Sequence, residues 1–287
     1  MKIAITGATG FIGSHLCRAL NREDHQLVQL GRADVRTDSA RLASQLQNCD
    51  AVINLAGENI SRRWSEKYMQ ALYDSRVLTT RALVEAMTRM EQRPGLFIST
   101  SAMGAFDSKG RYKESDAPNA GGFFGRLTRD WEQAARQAEA VGVRTLIFRL
   151  SLVLGRDGGM MKQLLLPFRL GLGGPIGDGS QPFSWIHIDD LIRAYSYALS
   201  HPEMTGIYHL SAPDSTTNLR FARALGQQLH RPVLLPVPLF ALKLLFGKGA
   251  EALASGQYLI AERLPEAGFH FQYDTLPKAL AKITSAP

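Results

Sequence analysis

The chain begins with Met1-Lys-Ile-Ala-Ile-Thr-Gly-Ala-Thr-Gly-Phe-Ile-Gly-Ser-His15, the stretch that decides its fold. Within it, Ile3 and Ile5 alternate with smaller or polar residues, which predicts a short buried strand. Three glycines follow at G-x-x-G-x-x-G spacing, and an apolar helical face comes directly after them. A strand, a glycine turn and a helix in this order predict a unit that binds a dinucleotide.

Each of the three glycines has a separate predicted task. Gly7 allows the tight turn, Gly10 lets the backbone approach a pyrophosphate, and Gly13 lets the helix pack close to the strand. The N–H groups and the dipole at the helix start favour the phosphate charge, whereas the alternative interpretation is a tight turn without a ligand. The residues of this stretch predicted to bind the cofactor are Gly7, Thr9, Gly10, Phe11, Ile12 and Gly13.

Composition and charge limit the class of protein. Hydrophobic residues make up 45% and charged residues 21% of the 287, which is ordinary for a globular protein. The net charge of +7 is spread along the chain, and we find no nucleic-acid-binding motif, so we expect phosphorylated ligands rather than nucleic acid. Two cysteines, Cys17 and Cys49, cannot form a disulfide framework and indicate a reducing compartment. With no signal peptide and no long apolar run, we expect a cytoplasmic protein that does not bind membranes.

Strands alternate with helices along the first half of the chain. The predicted strands after the first lie at residues 26–30, 50–55, 96–99 and 144–150, and the long predicted helices lie at 64–91 and 124–141. Parallel strands joined by such helices need crossover connections. We therefore predict an α/β fold of the Rossmann type, a doubly wound parallel sheet with helices on both faces.

The end of the second strand distinguishes between the two nicotinamide dinucleotides. An acidic residue there takes the ribose 2′-hydroxyl of NAD, but here Gly31 occupies that position and Arg32 follows. A guanidinium can bind a 2′-phosphate with paired hydrogen bonds, so we predict NADP. Asp34 is close enough to act as the acid instead, but it follows the turn and we expect it to be solvated.

The second half of the chain is less regular. Glycine-rich loops surround a short apolar helix after residue 155, and helices predominate toward the end. We predict an NADP-binding Rossmann domain at 1–155 and a substrate-binding lobe with a C-terminal helical tail at 156–287. The boundary is soft, because a strand at 206–211 could return to the main sheet.

Several motifs occur in a fixed order over about the first 200 residues. They are Thr6-Gly-Ala-Thr-Gly-Phe-Ile-Gly13, Asn54-Leu-Ala-Gly57, Ser99-Thr-Ser101, Arg149-Leu-Ser-Leu-Val-Leu-Gly155 and Trp185-Ile-His-Ile-Asp-Asp190. In these motifs the chain resembles the extended short-chain dehydrogenase/reductases, which include nucleotide-sugar epimerases and reductases. The resemblance implies NADP contacts from Leu55, Ala56 and Gly57.

A narrower resemblance extends over nearly the whole chain. It rests on Asn54-Leu-Ala-Gly-Glu-Asn-Ile60, Arg63-Trp64, Asp74-Ser-Arg76, Arg129-Asp-Trp-Glu132, Pro167-Phe-Arg-Leu-Gly-Leu-Gly-Gly174 and Leu235-Pro-Val-Pro238. In these the chain is similar to the atypical epimerase-family proteins of the YfcH type. This narrower resemblance leaves the substrate open. The broader resemblance to the extended family implies a small-molecule substrate, such as a nucleotide-sugar, and a homodimer formed through two long helices, here 65–91 and 124–141.

The chain departs from the broader family at the catalytic dyad. That family uses Tyr-x-x-x-Lys, in which the lysine lowers the tyrosine pKa so that the tyrosine can exchange a proton with the substrate. Aligned on Glu132, the equivalent residues here are Phe124 and Thr128, and no Tyr-x-x-x-Lys occurs anywhere in the sequence. The resemblance therefore implies an atypical active site.

Three polar residues remain as candidates near this position. Ser101 matches the family's serine, and either contacts substrate or is a polar residue at a strand-to-loop transition. Tyr112, with Lys113 beside it, could supply a proton from the following loop, although most such residues are merely exposed. Thr128 could bind the nicotinamide ribose without the electrostatic effect of a lysine.

Two hypotheses of different classes follow from this pattern. The first is an NADP-dependent oxidoreductase or epimerase acting on a nucleotide-sugar-like or other hydroxyl or carbonyl compound. The second is a non-catalytic NADP-binding or redox-sensing protein. We predict no metal site, since the contiguous acids of His187-Ile-Asp-Asp190 do not by themselves make ligand geometry.

Overall fold

The computed structural model describes residues 1–108, 110–250 and 255–285. Its strands are numbered along the chain. They are β1 (Lys2–Thr6), β2 (Gln26–Leu30), β3 (Ala51–Asn54), β4 (Leu96–Ala102), β5 (Arg111–Tyr112), β6 (Arg144–Leu150), β7 (Leu152–Leu154), β8 (Pro182–Phe183), β9 (Trp185–His187), β10 (Gly206–Leu210), β11 (Thr216–Thr217) and β12 (Tyr258–Leu259).

The helices follow the same convention. They are α1 (Phe11–Arg22), α2 (Arg32–Val35), α3 (Ser39–Leu46), α4 (Glu66–Tyr73), α5 (Thr79–Thr88), α6 (Gly122–Arg136), α7 (Gly159–Arg169), α8 (Ile188–Ser200), α9 (Asn218–Gln228), α10 (Leu239–Phe246), α11 (Arg263–Glu266) and α12 (Leu276–Thr284). Short 3₁₀ turns lie at Met103–Ala105 and Glu139–Val141.

Six parallel strands form the main sheet in the order β2-β1-β3-β4-β6-β10. The predicted Rossmann-type fold is confirmed, and the strand predicted at 26–30 has those bounds in the structure. The chain moves from β1 outward to β2 and then crosses β1 to reach β3. Ligands of such sheets bind beside this switch point, at the carboxyl ends of the strands.

Both faces of the sheet are buried, as parallel sheets require. Side chains alternate between the faces, so Ile3 and Ile5 belong to one core cluster and Ala4 belongs to the other. Helices α1 and α8 cover the first face, with Leu16, Leu20 and Leu191 fully buried against the strands. Helices α3 and α5 cover the second face.

Segments after β6 contribute both to this sheet and to a separate core. Strand β10 pairs with β6 along its whole length, so Gly206–Leu210 lies in the main sheet. A third core cluster joins α7, α9 and α12 around Trp185 and the stacked rings of Phe183 and Phe221. Within the described ranges, no helix is both long and apolar enough to cross a membrane.

The helix predicted at 64–91 is present as one unbroken helical segment, but it is not α-helical throughout. A π-helical turn at Asp74–Leu78 separates α4 from α5. Such turns shift the helical register and recur at functional sites. Here the turn carries Ser75 and Arg76 toward the loop that follows β3.

Candidate functional site

The glycine turn after β1 has the geometry predicted for it. Gly7 has φ of +69°, and a Cβ there would lie 2.6 Å from the carbonyl oxygen of Leu55. A Cβ on Gly13 would lie 2.1 Å from the carbonyl oxygen of Gly7, so only glycine allows α1 to approach the turn this closely. The turn therefore joins β1, α1 and the loop after β3 at one point.

The start of α1 is open to an anion. Its N-cap residue is Gly10, which offers no side-chain hydrogen bond, and no acidic residue occupies the first turn. The N–H groups of Phe11, Ile12 and Gly13 have no intrahelical acceptor, because the first intrahelical bond runs from the N–H of Ser14 to the carbonyl of Gly10 at 2.9 Å. With the exposed Thr9 next to them, these groups and the helix dipole suit a phosphate.

The loop Leu55–Ala56–Gly57 is held beside the glycine turn by a buried polar network. Thr6 Oγ1 donates to Asn54 Oδ1 at 2.6 Å, and Asn54 Nδ2 donates to Thr80 Oγ1 at 2.8 Å. The backbone N–H of Ala56 donates to both Thr6 Oγ1 and Asn54 Oδ1 at 3.2 Å. Because all three polar side chains are buried and satisfied, the loop has a fixed position at the switch point.

Arg32 begins α2, directly after β2. Its Nη1 atom lies 2.8 Å from Oε1 of Glu58, which follows Gly57 in the loop after β3. Asp34 is bonded rather than merely solvated, because its carboxylate accepts from Gly31 N and from Gln45 Nε2, each at 2.8 Å. Asp34 thus caps the start of α2 while its side chain stays partly exposed.

Arg76 lies beside the loop after β3, although the sequence patterns did not mark it as a binding residue. Its Nη2 donates to the carbonyl of Glu58 at 3.1 Å, and its Nη1 donates to the carbonyl of Leu72 at 3.1 Å. A Cβ on Gly57 would lie 3.0 Å from the guanidinium. Desolvation lowers the pKa of Arg76 to about 10, and no carboxylate in the described part of the chain forms an ion pair with it.

Ser101, Arg149 and His209 are aligned across three neighbouring strands, at the carboxyl end of the sheet. Ser101 pairs in register with Arg149, and Arg149 pairs with His209. Ser101 Oγ donates to Glu132 Oε1 of α6 at 2.7 Å, and Arg149 forms two hydrogen bonds with the same carboxylate at 2.7 and 2.8 Å. All four side chains are buried, so the serine hydroxyl is fixed by a buried ion pair.

The face of α6 that would carry the dyad is apolar. Thr128 Oγ1 donates to the backbone carbonyl of Phe124 at 2.7 Å, and a Cβ on Gly104 would lie 3.2 Å from that hydroxyl. The ring centroid of Phe124 lies 5.1 Å from that of Trp64, which is also 5.9 Å from that of Phe123. Aromatic packing thus surrounds Phe124, the residue that the sequence comparison predicted at the position of the dyad tyrosine.

Tyr112 and Lys113 have partners away from this face. The Tyr112 hydroxyl donates to Asp107 and accepts from Asn119 Nδ2 at 3.1 Å. Its hydrogen bond to Asp107 raises the pKa of Tyr112, which is the opposite of what a neighbouring lysine does. Lys113 Nζ forms an ion pair with Glu262 at 2.6 Å.

The acids after His187 have structural partners. The Nδ1 atom of His187 accepts from the N–H of Asp189 at 3.1 Å, which caps α8. Asp190 is fully buried and accepts from Arg193 and from the backbone N–H groups of Gln272 and Tyr273. Within the ranges that the structure describes, no group of three or more possible ligands could hold a metal ion.

The sheet, its glycine turn and the loop beside it define a dinucleotide-binding protein of the Rossmann class. Residues 3–210 match the model of the NAD dependent epimerase/dehydratase family, and the chain belongs to that family. Residues 237–283 match a second model, described as a domain of unknown function.

Similar proteins cover nearly the whole chain. The human epimerase family protein SDR39U1 is 38% identical over 99% of this chain and 100% of its own length. The crystal structure of human SDR39U1 (isoform 2) with NADPH has a TM-score of 0.90 and 35% identity, and covers 99% of both chains. A nucleoside-diphosphate sugar epimerase from Corynebacterium glutamicum has a TM-score of 0.79 and 27% identity, over 98% of this chain and 57% of that one.

Proposed function

We propose that this protein binds NADP and acts as an oxidoreductase or epimerase on a nucleotide-sugar-like or other hydroxyl or carbonyl compound. It would do so as an atypical, YfcH-type member of the family, without a Tyr-x-x-x-Lys dyad. The observation that carries the proposal is the open start of α1, held against the loop after β3. The NADPH in the human SDR39U1 structure supports the choice of cofactor.

The residues proposed to hold NADP fit its chemistry. Backbone groups from Gly7 to Gly13 would bind the pyrophosphate, and the loop Leu55–Ala56–Gly57 would line the same groove. Arg32 would bind the 2′-phosphate, and Arg76 adds a second positive charge at Gly57. Thr128 is proposed to contact the nicotinamide ribose.

NADP would supply or accept a hydride at the nicotinamide ring, and the protein would handle the accompanying proton. Ser101 is the proposed substrate contact, because its hydroxyl donates a hydrogen bond to Glu132 and its oxygen can still accept a hydrogen bond from a substrate hydroxyl. Tyr112 remains a weaker candidate, since its hydroxyl is engaged with Asp107. The substrate lobe would be built from residues 156–287, apart from α8 and β10, which belong to the main sheet and its first core.

A non-catalytic NADP-binding or redox-sensing role is the second candidate. The aromatic contact between Phe124 and Trp64 favours it, because neither side chain can exchange a proton at the dyad position. In either role we propose a cytoplasmic protein, supported by the two buried free cysteines, and a homodimer formed through the long helices.

Calorimetric titration with NADPH and NADH tests the cofactor assignment. The unmodified protein should bind NADPH more tightly than NADH, and Arg32→Ala should remove that preference. Arg89→Ala is the matched control, because Arg89 is an exposed arginine paired with Glu85 on α5. Absence of binding to either dinucleotide would refute the proposal.

Turnover then separates the two roles. Reduction of a panel of carbonyl compounds with NADPH, abolished in a folded Ser101→Ala variant, would support the enzyme. Tight binding with no turnover across the panel would support the binding protein instead.

A further inference from the structure

The arginine proposed to select NADP already has an anionic partner in the protein. Arg32 Nη1 lies 2.8 Å from Glu58 Oε1, and the two side chains differ strongly in exposure. Arg32 is 73% exposed, whereas Glu58 is only 17% exposed. The carboxylate therefore lies on the inner side of the pair and the guanidinium faces outward.

Glu58 is held in place through its backbone. Its N–H donates to Ser75 Oγ at 2.9 Å, and its carbonyl accepts from Arg76 Nη2 at 3.1 Å. Both partners lie on the π-helical turn between α4 and α5. The π turn thus fixes the backbone from which the carboxylate reaches Arg32.

Glu58 is also the acidic member of a cluster rich in arginine. Burial raises the pKa of Tyr68, and the nearby Glu58 raises it further, whereas Arg62, Arg76 and Arg32 act to lower it. These four charged side chains therefore lie within electrostatic reach of one phenol. Without the Glu58 carboxylate, the surroundings of the Tyr68 hydroxyl would present the positive charges of three arginines to an incoming phosphate.

We propose that Glu58 is a specificity-determining residue that competes with the 2′-phosphate of NADP for Arg32. The inference rests on the proposed function. A phosphate dianion can displace a carboxylate from an arginine, since it carries more charge and more acceptor oxygens. The 2′-phosphate must first break the Arg32–Glu58 pair, and it then lies next to the negative charge of Glu58. NADH has no 2′-phosphate and leaves the pair intact, so Glu58 reduces the preference for NADPH over NADH.

Substitution of Glu58→Gln tests this competition, because glutamine keeps the shape of the side chain and removes its charge. Titration with NADPH should give a dissociation constant lower by roughly twofold to fivefold, the scale of one exposed ion pair. The constant for NADH should change by less than about twofold. The gain should shrink at pH 5.5, since the second pKa of a phosphate monoester is about 6 and the ligand then carries less charge.

Glu85→Gln is the matched control, because it makes the same change in net charge and frees Arg89, an exposed arginine at the end of α5. It should leave both constants unchanged. NADPH binding that Glu58→Gln leaves unchanged or weakens, or an equal gain for NADH, would overturn this inference alone. Failure of the unmodified protein to bind NADPH would overturn the proposed function and this inference with it.

Discussion

Ser101 Oγ donates to Glu132 Oε1 at 2.7 Å, and this bond ties the candidate substrate contact on β4 to a buried carboxylate on α6. The same carboxylate receives two hydrogen bonds from Arg149, whose side chain is 1% exposed. The serine is thus part of the ion pair that joins the helix to the sheet. Its orientation depends on the integrity of that pair.

Glu132→Gln should destabilise the fold strongly. Removal of one member of a buried ion pair leaves the other charge uncompensated, at a cost of about 3–5 kcal/mol in the free energy of unfolding. Arg149 would be that charge. Urea denaturation of the variant measures the loss.

The control for this prediction is Glu85→Gln, which removes an exposed pair with Arg89 and should change the free energy of unfolding by less than about 0.5 kcal/mol. Equal stability of the two variants would mean that the Glu132–Arg149 pair contributes no more than a surface contact.

Gly13→Ala should abolish dinucleotide binding and destabilise the protein. The new Cβ would lie 2.1 Å from the carbonyl oxygen of Gly7, so α1 must move away from the turn. Overpacking of this kind costs roughly 1–3 kcal/mol. Thermal unfolding and NADPH titration measure the two effects.

Gly121→Ala provides the comparison, because nothing lies within 4 Å of a Cβ at that position and its φ of −89° suits any residue. Unaltered NADPH binding by Gly13→Ala would contradict the assigned role of the turn.

Local sequence patterns predicted β1 and the glycine turn after it, because short stretches of the chain determine both. Alternating residues around Ile3 marked β1, and glycine spacing marked the turn at Gly7, since both follow from short-range sterics. The long helix was predicted as one element, but the π turn at Asp74–Leu78 was not, because its register is set by packing.

The pairings of the candidate site could not be predicted in this way. Arg32 meets Glu58 and Ser101 meets Glu132 only because distant strands and helices converge at one edge of the sheet. Sequence spacing carries no information on such contacts. Arg76 belonged to a motif already noted, but its guanidinium reaches Gly57 only through the fold.

Thr128→Lys should fail to restore a working dyad, even when combined with Phe124→Tyr. Thr128 is buried, and its hydroxyl lies 3.2 Å from the position of a Cβ on Gly104. A lysine there would overpack the site and bury a charge, so we expect a loss of roughly 2–5 kcal/mol in the free energy of unfolding.

Thr128→Val is the matched substitution, because it keeps the volume and loses one hydrogen bond, at a cost of about 1 kcal/mol. Urea denaturation compares the two variants. A stable double variant with increased turnover would show that the apolar face tolerates the family's dyad.

The stability of the fold should depend on pH through the buried His209. Burial, and next the positive charge of Arg149, lower the pKa of this imidazole to about 4. Its Nδ1 donates to the carbonyl of Ile260 at 3.0 Å, and Nε2 has no hydrogen-bond partner among the described residues. The folded protein therefore keeps the ring neutral, whereas the unfolded chain binds a proton below about pH 6.5.

Stability should fall as the pH drops from about 6.5 to about 4, because the unfolded state binds more protons in this window. His209 alone accounts for a loss of roughly 3 kcal/mol in the free energy of unfolding. His209→Gln can keep a donor for Ile260 and has no titrating group, so its urea midpoint should depend less on pH. His270→Gln, at an exposed histidine, should keep the full dependence. Equal pH dependence in both variants would mean that other groups set the acid stability of the fold.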